Sequence, residues 1–553
     1  MKVGLNWFTQ FSLDSIRTVS KNLFDALSER HELVFLPHEY PYVGDDERRL
    51  MLERFLDSCD VVAGALNSSM LAVRQRMGGT VPFVPFLLGT LPRGGWAIRG
   101  ELPYLNTNDV LLANCAADLE LARKFFHNAL VRVVPFPVDA RVFFPLDDAA
   151  RAEARRALGF EDDDRVVLYA GRTTPEKNVH TLLRAFSAVA AEHPRAHLVL
   201  AGPVTGGGGF MEFGVAPLNY AATIDRAIAR LGLPRNRVHL VGHVRGARMR
   251  ELYNAADVHV NLTLNHDENF GMAQVEAMAC GTPVVGTAWG GLRDTILDGV
   301  TGHHVSVMAT PTGLKVDWYE AAGLISALLG DPGTRARFRA ACAARAAECY
   351  SRAGWAALLD QLLSGAAGRH DTPSEPLRAT EFAEEYWALC EPRAENRAPF
   401  RRGPRSEQMY RELVEPFAAV TRHHVPPGAP PRGEQVLSLA TAVESAGGGA
   451  TLRVDSPLYP FAVEVPADLR PAVGAVLGVV RREPALAAGA LDERLAGVRG
   501  ADEAVAWMLE VGLLLRTSPG RGWLAPGRVP PEAGEVLFTV QPVDRTTADF
   551  LVY

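Results

Sequence analysis

The sequence predicts an α/β protein in which two tandem, doubly wound Rossmann-like domains are followed by a small C-terminal α+β module. Over residues 1–365, short apolar runs alternate with helical periods, which is typical of parallel sheets with right-handed crossovers. A charged segment, 147–164, divides this part into two units, and the pattern changes beyond residue 365. A chain of 553 residues has room for roughly three to four folding units of about 150 residues each.

In the first predicted domain, residues 1–145, six apolar runs have the length and spacing of strands. These runs are Val3–Phe8, Leu33–Leu36, Asp60–Ala65, Pro82–Leu88, Asp109–Asn114 and Val131–Pro135. Between them, apolar residues three and four positions apart predict amphipathic helices, among them Ser12–Leu27 and Ala116–Phe126.

The second predicted domain, residues 146–348, repeats the pattern. Its strands are expected at Val166–Ala170, His197–Ala201, Val238–Val241, Val258–Leu262 and Pro283–Gly286. Its helices are expected at Val179–Ala191, Tyr220–Leu231, Ala247–Asn254 and Gly271–Ala279. A crossover helix is expected at 349–365, around Trp355–Leu363. Two doubly wound domains in tandem predict a cleft lined by the carboxyl ends of strands, where open α/β sheets bind ligands.

The remaining residues predict a linker and an accessory module. Residues 366–449 contain proline-rich stretches and a helical patch, Phe382–Cys390, which indicates a partly helical linker. Residues 450–553 resemble a winged helix, with a hairpin made by Leu513–Thr517 and Trp523–Leu524. The other elements of the module are expected at Thr451–Val454, Phe461–Val465, Pro471–Val480, Ala490–Leu495 and Asp502–Val511. Between residues 468 and 521, seven arginines balance seven acidic residues, which favours contact with a peptide or protein over DNA.

Composition excludes several functional classes. The net charge of −7 and the pI of about 6.1 argue against a general nucleic-acid binder, whose domain would be basic. Six cysteines without a CxxC pair do not indicate a disulfide framework. The first residues, MKVGLNWF, show no secretory signal, and no apolar run approaches the roughly 18 to 20 residues of a membrane-spanning helix. We therefore expect a cytoplasmic protein without a transmembrane segment or a nucleic-acid partner.

The first candidate motif, Gly171–Asn178, follows a predicted strand directly. Glycine allows a sharp turn at the strand end, so that Arg172 and Lys177 can both point into the cleft. Together they offer the planar fork and the compact point charge that a diphosphate needs. Lysine is otherwise nearly absent, with five in the chain, which indicates that its chemistry is required here. The alternative is a solvated surface loop.

The second candidate motif, residues 266–283, carries two carboxylates. Glu268 lies in a loop after a strand, and Gly271 opens a helix whose free N–H groups can hold a phosphate. Glu276 lies eight residues after Glu268. Two carboxylates near a phosphate are consistent with hydrogen bonds from hydroxyls of a sugar and of a ribose. The alternatives are an ion pair of Glu276 with an arginine and a simple core position for Phe270.

Together these motifs resemble the GT-B-fold retaining glycosyltransferases of family 4, also called glycosyl transferases group 1, over about residues 1–365. The matching segments are GRTTPEKN, the E-x7-E motif ending in EAMACGTPVV, VVPFPVDARVFFP, LVLAGP, VHLVGHV, LYNAADVHVNLTL, GGLRDTILDGVTGHHV and YSRAGWAALLDQLL. Two positions depart from the family: Thr9–Ser12 replaces the glycine pair after the first strand, and Gly89–Thr90 stands where many members have a histidine. Both departures leave the acceptor open.

The resemblance implies roles residue by residue. Arg172 and Lys177 would bind and stabilise the donor diphosphate, Glu268 would contact the donor sugar, and Glu276 would hold the ribose. The other donor-binding positions that the resemblance implies are Gly171, Asn269, Phe270, Gly271, Met272, Ala273 and, near the base, Val244. The first domain would face the acceptor and the second the donor. The family needs no metal or other cofactor.

The expected function is therefore a hexosyltransferase-like retaining glycosyltransferase, independent of metal, that moves a sugar from a nucleotide-diphosphate sugar to an acceptor hydroxyl. Two alternatives remain open. One is a GT-B-fold epimerase of nucleotide sugars, and the other is a non-catalytic subunit that binds a nucleotide sugar and contacts a partner through the C-terminal module.

Overall fold

The computed structural model describes most of the chain, which divides into two compact units. The described residues are 1–6, 14–37, 40, 43–87, 99, 102–204, 220–264, 268–310, 312–390, 435–455, 461–518, 524 and 531. Unit 1 comprises Met1–Ala140, His266–Val275 and Arg345–Phe417, and unit 2 comprises Arg141–Asn265, Glu276–Ala344 and Ala418–Tyr553.

Strands and helices alternate along the chain as the sequence predicts. The strands are β1 Lys2–Leu5, β2 Glu32–Phe35, β3 Val61–Ala65, β4 Phe83–Phe86, β5 Val110–Ala113, β6 Leu130–Val133, β7 Arg165–Ala170, β8 Ala196–Ala201, β9 Val238–Gly242, β10 Val258–Asn261, β11 Val284–Thr287, β12 Gly302–Val305, β13 Val307–Thr310, β14 Gly313–Val316, β15 Val436–Leu439, β16 Val443–Ala446, β17 Thr451–Val454, β18 Phe461–Glu464, β19 Ala485–Ala487 and β20 Leu514–Thr517. The helices are α1 Asp14–Ser28, α2 Asp45–Asp57, α3 Ser68–Arg76, α4 Ala116–Phe125, α5 Asp148–Ala157, α6 Val179–Glu192, α7 Tyr220–Arg230, α8 Gly246–Ala255, α9 Met272–Ala279, α10 Leu292–Thr295, α11 Trp318–Gly330, α12 Pro332–Cys349, α13 Arg352–Ala367, α14 Glu381–Cys390, α15 Arg470–Arg482, α16 Ala488–Arg494 and α17 Ala501–Glu510.

Unit 1 is built on a six-stranded sheet in the order β2-β1-β3-β4-β5-β6, with every pair of neighbours parallel. All residues of β4 and β5 are buried, as expected of strands covered on both faces. The predicted crossover helix exists as α13 and packs against α1, β3 and β4. Residues 7–13 and 88–98, which include the two departures from the family pattern, lie outside the described residues.

The start of the predicted linker packs against unit 1. The backbone N–H of Thr107 donates to the carbonyl of Glu375 at 2.9 Å, and that of Leu377 donates to Leu105 at 3.0 Å. In α14 the rings of Phe382, Tyr386 and Trp387 all lie edge-on to Phe125, at centroid distances of 5.5 to 5.8 Å. Burial of this aromatic face anchors residues 375–387 to unit 1.

Unit 2 contains the second six-stranded parallel sheet, in the order β12-β11-β10-β7-β8-β9. Counted within the unit this is the order 3-2-1-4-5-6 of a Rossmann fold. The strand order reverses between β7 and β10, and ligands of such sheets bind at the carboxyl ends of the strands next to this reversal. The prediction of two Rossmann-like sheets is confirmed.

The C-terminal region also belongs to unit 2. The predicted helices exist as α15, α16 and α17, beside two antiparallel sheets in the orders β19-β15-β20 and β16-β17-β18. Strands β15 and β16 lie within the segment 366–449, which the sequence analysis assigned to a linker. Strand β20 pairs with β15, and the hairpin of Leu513–Thr517 with Trp523–Leu524 stays a prediction, because residues 519–523 lie outside the described residues. Trp523 lies outside the described residues.

This region packs directly against the second Rossmann-like sheet and its helices. The indole N–H of Trp318, at the start of α11, donates to the carbonyl of Leu439 at 2.9 Å. The Thr312 hydroxyl donates to the carbonyl of Val511 at 2.7 Å. Both side chains are fully buried, so the two parts share one interior.

Two further expectations can be compared with the described residues. No helix among them combines the length and the apolar character that crossing a membrane requires. Of the six cysteines, the five whose side chains the structure describes are free thiols.

A buried ion pair joins α3 to the amino-terminal ends of β4 and β5 in the unit 1 sheet. Arg74 in α3 and Asp109 before β5 form two hydrogen bonds of 2.6 and 2.9 Å, and both side chains are at most 2% exposed. Arg74 also donates to the carbonyl of Val81, and Asp109 accepts from the backbone N–H of Phe83. The pair thus connects α3, β4 and β5.

We expect Arg74→Met to destabilise the protein by about 3–5 kcal/mol, because it leaves the Asp109 carboxylate buried without its counter-charge. The thermal midpoint, followed by circular dichroism, should fall by about 6 °C or more. Arg76→Met, at an exposed position of the same helix, is the control and should leave it unchanged. Equal midpoints for the two variants would show that the pair is dispensable.

Candidate functional site

The candidate site in unit 2 begins with a close backbone approach at the ends of β7 and β8. Gly171 follows β7, and its N–H donates to the carbonyl of Ala201 at 2.8 Å. A Cβ atom on Gly202 would lie 1.8 Å from the Gly171 carbonyl oxygen, so only glycine fits there. Both glycines also have positive φ, +143° and +146°. The first turn of the motif is therefore fixed by the neighbouring strand.

The end of β9 is joined to the same edge. The Gly202 N–H donates to the carbonyl of Gly242, the last residue of β9, at 2.7 Å. Gly242 has φ of +66°, and the chain then turns to His243 and the half-buried Val244. The predicted base-side position, Val244, is thereby placed at the carboxyl edge of the sheet that also carries the first motif.

In the first motif, Lys177 ends a short 3-10 turn, Pro175–Lys177, and Arg172 lies in the loop before that turn. The Tyr169 hydroxyl donates to the carbonyl of Arg172 at 2.6 Å. The Arg172 side chain is 40% exposed, and its Nη1 lies 3.8 Å from Oε1 of the buried Glu176. Lys177 is half-buried. The loop therefore combines the partly exposed guanidinium of Arg172, the ammonium of Lys177 and the buried carboxylate of Glu176.

The loops after β7 and β10 are connected by hydrogen bonds. The backbone N–H of Leu264 and the hydroxyl of Thr263 both donate to the carbonyl of Glu176, each at 3.2 Å. The side-chain amide of Asn178, which has φ of +57°, donates to the carbonyl of Leu262 at 3.0 Å. The structure thus brings the first motif against the segment that leads into the second, on the two strands that flank the reversal of strand order.

The first part of the second motif belongs to unit 1 and is packed there. Glu268 is 8% exposed. The Asn269 side-chain amide donates to the carbonyl of Leu87 at 3.2 Å and to Oδ1 of Asn114 at 3.1 Å. Leu87 and Asn114 follow β4 and β5, so Asn269 binds the carboxyl ends of two strands. His266 and Asp267 lie outside the described residues.

Phe270 occupies a core position in unit 1. It is 3% exposed and lies edge-on to Phe136 and Tyr350, at centroid distances of 5.5 and 5.6 Å. The alternative interpretation of Phe270, a simple core position, is therefore correct for its side chain. The next residue, Gly271, has φ of +85°, and a Cβ there would lie 1.6 Å from the amide nitrogen of Gln274. The positive φ favours glycine at this position, directly before α9 begins at Met272.

Glu276 lies in α9 and belongs to unit 2, together with Arg172 and Lys177. The Tyr253 hydroxyl donates to its Oε2 at 3.0 Å. Burial raises the pKa of Glu276 to about 7, and the hydrogen bond from Tyr253 opposes this shift. Its partner is thus a tyrosine and not the arginine of the alternative interpretation. Met272 and Ala273, in the first turn of α9, are half-buried.

Sequence reasoning missed three residues of this arrangement: Tyr253, Asn114 and Glu176. Tyr253 lies in the segment LYNAADVHVNLTL, which the resemblance covers, but nothing in its spacing indicates Glu276. Asn114 stands at the end of an apolar run, where polar side chains collect at a sheet edge, and this signal was available. Glu176 lies inside the first motif, next to Lys177.

Among the described residues, no group of three or more His, Cys, Asp or Glu side chains is arranged to hold a metal ion. The expectation that the reaction needs no metal stays a prediction.

Comparison with known proteins extends the resemblance. Residues 150–343 match the family model of the glycosyl transferases group 1. The D-inositol 3-phosphate glycosyltransferases of Xylanimonas cellulosilytica and Kineococcus radiotolerans are 34% and 33% identical to the chain over 284 residues. These matches cover 49% and 50% of this chain and 61% and 60% of the relatives. The chain thus spans about three fifths of the length of these curated relatives.

Solved structures similar to the chain include Anabaena HepE in complex with UDP and glucose, with a TM-score of 0.49 and 19% identity over 66% of this chain and 99% of that chain. Sucrose-phosphate synthase from Thermosynechococcus elongatus gives a TM-score of 0.48 and 19% identity over 65% and 97%.

The family model covers β7 to β12 and most of α12, which include the first motif, the loop after β10 and Glu276. Residues 150–343 are therefore a glycosyl transferases group 1 domain.

Proposed function

We propose that the protein is a retaining, metal-independent glycosyltransferase that moves a sugar from a nucleotide-diphosphate sugar to an acceptor hydroxyl. The observation that carries the proposal is the loop Gly171–Asn178, which is held at the reversal of strand order of a glycosyl transferases group 1 domain and presents Arg172 and Lys177. The names of the curated relatives support glycosyl transfer as the reaction class.

Arg172 and Lys177 are proposed to hold the donor diphosphate. As the bond between the sugar and the phosphate breaks, negative charge accumulates on the leaving phosphate oxygen. A guanidinium can bind two phosphate oxygens at once, and an ammonium adds a compact charge. Groups of fixed position that meet developing charge lower the barrier, because they stabilise the transition state more than the ground state.

The leaving phosphate is proposed to act as the base of the reaction. Retention at the anomeric carbon follows if the acceptor attacks from the face that the diphosphate leaves. The departing oxygen then takes the proton of the acceptor hydroxyl while Arg172 and Lys177 neutralise the rest of its charge. In this scheme Glu268 binds donor sugar hydroxyls, the backbone of 269–273 lies beside sugar and phosphate, and Val244 lies near the base.

Glu276 is proposed to accept hydrogen bonds from the ribose hydroxyls. Its carboxylate has one lone pair engaged by Tyr253 and others available, and an ionised carboxylate accepts from two hydroxyls more strongly than a neutral acid. The hydroxyls would also offset the burial that raises its pKa to about 7.

The proposal is tested by a thermal-shift panel of UDP, GDP and ADP sugars, since a ligand at 100 times its Kd adds about 2.7 kcal/mol of stability. The donor that shifts the midpoint is then incubated with and without acceptors, inositol phosphates included because of the relatives' names. The anomeric configuration of the product is determined by NMR. An epimerised nucleotide sugar, an inverted product, or no turnover with any donor would each contradict the proposal.

We expect Arg172→Ala and Lys177→Ala each to lower kcat at least about 100-fold, because each removes one group that stabilises the leaving diphosphate. Steady-state kinetics with the identified donor measure the effect. Arg235→Ala and Lys21→Ala remove exposed cations paired with Asp225 and Asp25, and these controls should leave kcat unchanged. Near-normal turnover in both loop variants would remove these residues from the mechanism.

We expect nucleoside diphosphate affinity to rise about tenfold between pH 6 and pH 8, because the ionised fraction of a carboxyl group with a pKa of about 7 rises by that factor. Burial also raises the pKa of Tyr253 and raises that of Cys280 to about 12, so these neighbours stay neutral in this range. Glu276→Gln should weaken binding at pH 8 and remove the extra pH dependence, which titration calorimetry measures.

The raised pKa of Glu276 also determines how the stability of the protein changes with pH. The pKa of Glu276 is higher in the folded than in the unfolded protein, so the folded state binds more protons and stability falls as pH rises from about 4.5 through 7. Glu276→Gln should therefore gain thermal stability relative to the wild type as pH rises. Glu348→Gln, at an exposed position, is the control. A parallel pH dependence in the wild type and Glu276→Gln would contradict the assignment.

A further inference from the structure

Three buried side-chain oxygens in the first motif have no hydrogen-bond partner among the described residues. They are Oγ1 of Thr173, Oγ1 of Thr174 and Oε2 of Glu176. The three residues are at most 4% exposed. A buried polar atom without a partner is costly, and three such atoms within four consecutive residues are unusual in a folded protein.

Glu176 is the one of the three that carries a charged group beside a proposed donor-binding residue. Its Oε1 lies 3.8 Å from Nη1 of Arg172, a distance of an ion pair and not of a hydrogen bond. The Glu176 side chain is 5% exposed, whereas that of Arg172 is 40% exposed. The carboxylate is therefore the buried member of the pair and the guanidinium the exposed one.

The position of Glu176 is set by its backbone. Its carbonyl accepts from Thr263 and Leu264, which follow the neighbouring strand β10. Its charge also reaches Tyr220 in α7, whose pKa burial raises and the charges of Glu176 and Asp455 raise further. The backbone of Glu176 is thus held by the loop after β10, independently of Arg172.

A carboxylate at this place opposes binding of an anionic donor. It offsets part of the positive charge of Arg172 and Lys177 and repels phosphate oxygens at short range. An asparagine or glutamine would fill the same space without this repulsion. The carboxylate therefore needs a role that outweighs weaker donor binding.

We propose that Glu176 is a positioning residue that orients Arg172 for the transition state. The carboxylate attracts one side of the guanidinium and leaves its other N–H groups directed at the leaving phosphate, where charge develops as the sugar departs. The negative charge of Glu176 lowers the affinity for the donor in the ground state, while the orientation that it gives Arg172 favours the transition state. This inference rests on the proposed function, because it assigns Arg172 to the donor diphosphate.

The test is Glu176→Gln, which keeps the shape of the side chain and the backbone contacts of residue 176. Binding of UDP, GDP and ADP is measured by titration calorimetry, and turnover is measured with the identified donor. We expect roughly three- to tenfold tighter binding of the nucleoside diphosphate, since a nearby negative charge is removed. We expect kcat to fall at least about tenfold, since the guanidinium is misplaced. A purely structural role would not tighten binding.

Two further variants sharpen the test. In the Arg172→Ala background, Glu176→Gln should have no additional effect on kcat, because it acts through the missing guanidinium. Glu176→Asp keeps the charge and shortens the side chain, so it should bind nucleoside diphosphates like the wild type and still turn over more slowly. It also decides the question if Glu176→Gln does not fold, because in the Arg172→Ala background it should no longer lower kcat, whereas a purely structural defect would lower kcat in both backgrounds. Glu153→Gln removes a surface carboxylate paired with Arg156 at 2.8 Å and is the matched control.

The outcomes separate the two proposals. If the wild type binds none of the three nucleoside diphosphates, the proposed function fails and this inference fails with it. If the wild type binds and turns over, but Glu176→Gln leaves affinity and kcat unchanged, or lowers kcat equally with and without Arg172, only the inference on Glu176 is overturned.

Discussion

The candidate donor site depends on one steric constraint, the contact between the backbones of Gly171 and Gly202. Any side chain at Gly202 would overlap the Gly171 carbonyl, so the first turn after β7 is defined by the end of β8. From that turn the chain reaches Arg172, and four and five residues later Glu176 and Lys177 complete the 3-10 turn beside β10. Because β7 and β10 flank the reversal of strand order, this contact sets where the loop charges lie relative to the edge at which such sheets bind ligands.

The C-terminal region contributes to the structure of the group 1 domain, because it covers side chains of that domain. Trp318 and Tyr319 are at most 1% exposed, and their polar atoms donate to the carbonyls of Leu439 and Leu524. Burial lowers the pKa of Lys315, in the hairpin β13–β14, to about 7. Removing the C-terminal region would uncover both aromatic side chains, so its first contribution is to the stability of unit 2, whatever partner it contacts.

Local patterns predicted the two Rossmann-like sheets and most of their helices, because parallel strands covered on both faces appear as short apolar runs. They did not predict β15, whose partners β19 and β20 lie about 50 and 80 residues further along the chain. They also did not predict β16, although its partner β17 is the next strand. The same limit applies to the site. Arg172, Lys177 and Glu276 follow from the motifs, whereas the Tyr253–Glu276 hydrogen bond and the packing of Phe270 depend on tertiary structure that no spacing reveals.

Glu176 and Glu276 of unit 2 differ from the buried ion pair of unit 1 in how their charges are satisfied. At the amino-terminal ends of β4 and β5 in unit 1, Arg74 and Asp109 satisfy each other with two short hydrogen bonds, so that each buried charge has its counter-charge. Glu276 has a single neutral donor in Tyr253, and Glu176 has an ion pair too long for a hydrogen bond and one oxygen without a partner among the described residues. Both carboxylates are therefore incompletely satisfied in the protein alone. Ribose hydroxyls would complete the hydrogen bonds of Glu276 directly, whereas a diphosphate would meet both the repulsion of Glu176 and the attraction of Arg172. Loss of the negative charge should therefore weaken nucleotide binding at Glu276 and tighten it at Glu176.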